Sequence, residues 1–195
     1  ACLCNGRLEE ALEGFLQSNA RAKLRPIGHK HPYLREIAVV QWLLGMREEA
    51  IHTSRFSVDG ILDGTIEFAD ATGGTPQGLL LWYMGVSMRD NDIRDHALAC
   101  LRTITSRSRI DKSPGLAEFA IGKLSEKQLL RSVFSTAIPW MLRLQARLEK
   151  YKKYKLAKMW FYIGVQARAD GNEAEFQRYM RECSGLAFGV PVLEW

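Results

Sequence analysis

One spacing pattern recurs along this chain and constrains its fold more than any composition figure. Large apolar residues lead to a small one, and about seven residues later the chain breaks. Beyond the break, Ala or Phe follows at five residues and a further helix-facing position four later. Within "KMWFYIGVQARADGNEAEF" the copy reads Trp160, Ile163, Gly164, then Gly171, Phe176 and Met180. An earlier copy reads Leu81, Met84, Gly85, then Asp92, Ala97 and Leu101. Another reads Ile37, Ala38, then Gly45, Ala50 and Ser54, and the first reads Gly6, Ala11 and Phe15. The expected turns at 6, 45, 92 and 171 lie 39, 47 and 79 residues apart, the last near two periods. One helical hairpin cannot bury its own apolar face, so such copies must stack.

Helix signals continue between the copies. "GRLEEALEGFLQS" carries Leu8, Ala11, Leu12, Phe15 and Leu16 at three- and four-residue steps. "RPIGHKHP" is a loop, residues 33–44 form the next helix, and "REEAIHTSRFSVDGILDGTIEF" reads as its continuation after Gly45. Thr75 and Pro76 read as an N-cap and first-turn proline for a helix that is apolar nearly all round. Ser113-Pro114 and Pro139 mark further starts, and Ser125-x-x-Gln128 has the capping-box form. Sustained period-two alternation is missing. The expectation is an all-α fold of roughly ten helices in one domain, 1–195, with a sub-boundary near 105–114. The first hairpin lacks a full leading helix and "VPVLEW" reads as the start of a capping helix, so further terminal helices are expected.

The pattern resembles the tetratricopeptide repeat family, most closely over 157–183, less so over 1–18 and 37–57, loosely over 78–101 and poorly over 105–150. Its spacing exceeds the family's usual repeat, so the copies are degenerate. The resemblance implies a TPR-like α-solenoid that offers a concave surface to peptides or partner proteins and has no catalytic residues of its own. Small residues such as Gly164, Gly85 and Ala50 fit this, because they let two helices approach closely.

Chemical signatures are sparse. The four cysteines, Cys2, Cys4, Cys100 and Cys183, form no paired knuckles, and His29, His31, His52 and His96 are not at zinc-finger spacing. Cys100 and Cys183 read as buried free thiols, which suits a reducing, cytoplasmic setting. "ATGGTPQG" precedes a helix but lacks the Lys-Ser/Thr of a P-loop. No nucleophile elbow or zincin motif appears. The expectation is a chain that is not an enzyme and holds neither cofactor nor metal. No apolar run reaches the roughly 18 residues a membrane helix needs.

Charge marks the candidate sites. Asp59, Asp63 and Glu67 stand at i, i+4 and i+8, with Asp70 soon after. In a continuous helix the first three share a face and repel. Gly60 and Gly64 fall inside the same stretch, which must then bend or pack closely. Arg143, Arg147, Lys150, Lys152, Lys153, Lys155 and Lys158 face only Glu149, with Tyr151 and Tyr154 interleaved. That run suits a solvated helix face, an acidic protein or nucleic acid. Trp160, Phe161 and Tyr162 point about 100° apart on a helix, so at least two are expected in the core.

These readings converge on a protein-binding scaffold with Asp59, Asp63, Glu67, Asp70, Arg143, Arg147, Lys150 and Lys153 as its partner-binding residues. Its concrete forms are a neutralising, immunity-type partner of a toxin, or an adaptor or chaperone. Two alternatives stand beside it: a nucleic-acid-binding helical protein using residues 143–158, and an enzyme with a composite site assembled from distant elements.

Overall fold

Apolar residues at three- and four-residue steps become helix. The computed structural model describes residues 6–24, 33–66, 73–107, 115–135 and 145–186, without the side chains of Lys23, 132–135 and 145–151. Among the described residues there are nine α-helices and no strand. They are α1 (Leu8–Lys23), α2 (Leu34–Leu43), α3 (Arg47–Asp63), α4 (Thr75–Met88), α5 (Asn91–Arg107), α6 (Leu116–Ala120), α7 (Glu126–Ser135), α8 (Gln145–Ala169) and α9 (Glu173–Leu186). The all-α class is as expected. The chain forms two compact units, Ala1–Ser108 and Arg109–Trp195. In the first, α2 pairs with α3 and α4 with α5, α1 lies on α2, and α3 lies on α4. In the second, α8 pairs with α9 and also meets α6 and α7.

The same turn closes each pair. Gly45, Arg89 and Gly171 have φ of 80°, 55° and 81°. Gly45 N–H donates to Trp42 O at 3.1 Å and Met46 N–H to Gln41 O at 2.9 Å. Arg89 and Asp90 make the same bonds to Val86 O and Gly85 O, and Gly171 and Asn172 to Arg168 O and Ala167 O. Each turn is a Schellman motif, with the left-handed residue satisfying carbonyls that the helix end leaves open. The next residue caps the second helix: Asp90 Oδ1 accepts from Ile93 N–H at 3.0 Å, and Asn172 Oδ1 from Glu175 N–H at 3.1 Å. The third turn is therefore at Arg89. Asp92 lies inside the first turn of α5.

Two glycines mark close helix approaches. A Cβ on Gly85 would stand 2.6 Å from Arg94 N and 2.9 Å from Arg94 Cα. One on Gly164 would meet Met180 Cε at 2.6 Å and Tyr179 Cβ at 3.1 Å. Around these crossings Leu81, Met84, Trp82, Leu101, Ala157, Met159 and Tyr162 are buried. Of the aromatic run only Tyr162 is fully buried; Trp160 and Phe161 are half-buried, fewer core aromatics than the 100° argument predicts. Cys100 and Cys183 are free and buried, as expected.

Three boundaries differ from the sequence reading. Helix α3 stops at Asp63, because Gly64 takes φ 80° and Ile66 N–H turns back to Gly60 O at 2.8 Å. The Ile66 side chain then covers Gly60, where a Cβ would collide with it. Gly74, at φ 90°, is the cap residue of α4, and Thr75 is its first helical residue. Helix α8 runs unbroken for 25 residues, where the sequence reads "WMLRLQARLEKYKKY" as one helix and residues 158–176 as the opening of the next pair. Residues 108–114 and 136–144, with Ser113, Pro114 and Pro139, lie outside the described residues, as do Cys2, Cys4, His29 and His31.

Candidate functional site

The acidic stretch does not form the expected ladder, because α3 ends before position 67. Asp59 is exposed on α3, and its Oδ1 lies 2.7 Å from His96 Nε2 on α5. Asp63 folds onto its own helix end, accepting from Thr65 N–H at 2.8 Å and Thr65 Oγ1 at 2.7 Å. Those two bonds hold its carboxyl below the usual range. Next to it, Arg107 Nη1 donates to Ile61 O at 3.0 Å and Nη2 to Leu62 O at 3.3 Å. A cation at the last α3 carbonyls is the favourable placement for a helix C-terminus. The two described carboxylates thus serve helix ends and the α3–α5 contact. Glu67 and Asp70 lie outside the described residues.

His96 stands one turn from Cys100 on α5 and faces Asp59, so a thiol, an imidazole and a carboxylate fall in sequence. The geometry does not suit nucleophilic chemistry. Cys100 is 0% exposed, and burial pushes its thiol up to about 12, away from the thiolate that would react. Among the described residues no three His, Cys, Asp or Glu side chains come together as metal ligands. No helix there is long and apolar enough to cross a membrane.

Positions 147, 150, 152, 153, 155 and 158 all fall on α8. At 100° per residue, positions 147, 150 and 158 lie within about 80° of one another, 153 falls about 60° beyond 150, and 152 turns away from the group. Lys153 is exposed and Lys152, Lys155 and Lys158 are half-buried. The side chains of Arg147 and Lys150 and all of Arg143 lie outside the described residues.

Between α7 and α9, Tyr179 Oη donates to Glu126 Oε1 at 2.5 Å. Burial first, and the Glu126 carboxylate second, push the phenol up to about 12. Arg178 stacks over the Tyr179 ring at 4.1 Å and bonds Glu175. Ser125 and Gln128 form the expected capping box, with Ser125 N–H donating to Gln128 Oε1 at 2.8 Å. An open depression lined by Ser125, Glu126, Lys127, Leu130 and Arg131 runs along this helix start.

The large apolar residues open to a partner are ones the charge pattern misses. Leu16, Leu43, Phe56 and Met88 are 46–49% exposed, and Leu24 is 85% exposed. All belong to the first unit. Leu43 and Met88 each lie at the C-terminal end of the first helix of a pair. Beside Leu43, Arg47 stacks 3.8 Å over Trp42, and Trp42 meets Tyr83 edge-on at 5.7 Å. The available sequence signal is their position outside the buried stripe, which becomes readable only once the stripe's register is known. Comparison of this chain with protein-family models, curated proteins and solved structures finds no match.

Proposed function

We propose that this chain is a protein-binding scaffold of TPR-like stacked helical hairpins. The observation that carries this reading is the set of large apolar side chains left open on the first unit, at Leu16, Leu43 and Met88. Burying such side chains against a partner is favourable at about 25 cal/mol per Å² of apolar area. A neutralising, immunity-type role and an adaptor or chaperone role are both forms of this function. The test is cross-linking in cells of the native source, followed by mass spectrometry. One protein should be recovered with the wild type and lost with Leu43→Glu/Met88→Glu at unchanged helicity. Equal recovery by that variant removes the reading.

A second reading has its own observation: α8 carries positions 147–158 of the basic run on one continuous helix. Nucleic acid held there would be released steeply by salt.

A further inference from the structure

We infer that Arg89, with Met88 beside it, is the contact point for a partner segment presenting a carboxylate next to an apolar side chain. This rests on the protein-binding reading and names a site for it. Four Schellman-type turns occur among the described residues, and Gly45, Gly122 and Gly171 occupy the left-handed position in three of them. Arg89, at φ 55°, is the one described non-glycine residue with positive φ. A Cβ crowds the backbone there, so an L-residue is strained where glycine is not. Nothing among the described residues explains the choice. Arg89 is exposed, and its guanidinium bonds to no described residue. Arg89's own part in closing the turn is its backbone N–H, donated to Val86 O at 3.2 Å, which any residue but proline supplies. Strain kept at an exposed position without an internal contact points outward, to a group the side chain meets.

The surroundings select that group. Met88 is 49% exposed on the helical residue before Arg89. Asp90, Asp92 and Asp95 follow within six residues, with Asp92 and Asp95 exposed. Arg94 pairs with Asp95 at 3.2 Å, so three carboxylates against two arginines leave residues 88–95 with one net negative charge, which disfavours a polyanion such as nucleic acid. A single carboxylate on a protein segment can still pair with the guanidinium, while an apolar neighbour covers Met88.

Selection of short phage-displayed peptides against the full chain tests this. Enriched peptides should carry Asp or Glu beside an aliphatic or aromatic residue. Arg89→Gly should weaken them by about tenfold or more while raising the thermal midpoint, which separates lost contact from lost folding. Arg89→Glu should bind peptides whose carboxylate is replaced by Lys. Peptides that bind Arg89→Gly as well as wild type overturn this site and leave the scaffold reading standing. Failure to enrich any peptide counts against both. A lower midpoint in Arg89→Gly overturns the strain premise, and a DNA oligonucleotide bound through Arg89 overturns the choice of partner.

Discussion

Gly85 and Gly164 both hold helices close, but what they face differs. A methyl group on Gly85 meets Arg94 backbone, which cannot rotate aside, whereas one on Gly164 first meets the flexible end of Met180. Alanine gains about 1 kcal/mol in helix propensity over glycine at either site. Gly85→Ala should nonetheless lose about 1–3 kcal/mol overall through overpacking, and Gly164→Ala should stay within about 1 kcal/mol of wild type. Urea unfolding of both variants checks the order. Tyr179 gives a pH prediction at the same scale. Its phenol is raised from 10.0 to about 12 in the fold, so the neutral form is favoured there. That stabilisation is complete below pH 10 and disappears as pH climbs towards 12. Wild type should therefore lose stability more steeply over that window than Tyr179→Phe. Parallel unfolding curves for the two would exclude it.

Helix ends carry the next level. Asp90 and Asn172 cap α5 and α9 with side-chain oxygens, while Met46 at the matching position of α3 makes no such bond. Asp90→Ala and Asn172→Ala should each cost about 1 kcal/mol. Met46→Ala should lose only its packing, which chemical denaturation of the three variants can compare. Gly64 ends α3 in the left-handed region, so Gly64→Ala should cost about 1 kcal/mol or more. Readable caps have a common cause: Ser125 with Gln128 acts within one turn, and local chemistry of that kind survives any tertiary arrangement.

For the whole molecule, net charge of +5 brings anions near without specifying one. The scaffold reading expects a partner complex held by apolar contact, and that complex should persist as salt rises. It also expects no mobility shift with RNA or DNA at low salt. A shift whose affinity falls steeply with salt, and which Lys153→Glu weakens, would move the function to α8.

Sequence periodicity alone determines that this chain is helical, where most helices lie, and that Gly45, Gly85, Gly164 and Gly171 sit at turns or crossings. These are consequences of a 3.6-residue period and of glycine's missing Cβ, both local. The Arg89 turn shows where locality fails. A slip of three residues rotates a helix by 300°, nearly a full turn, so the α5 stripe fits a turn at Asp92 almost as well as the true one. The marker that settles register elsewhere, glycine, is replaced there by arginine. Tertiary structure also decides the fate of the charges. Asp59 meets His96 from 37 residues away and Arg107 reaches carbonyls some 45 residues back, partners that no window along the chain contains. Exposure of Leu43 and Met88 is decided the same way, because a residue's neighbours across a helix pair depend on how the pairs pack.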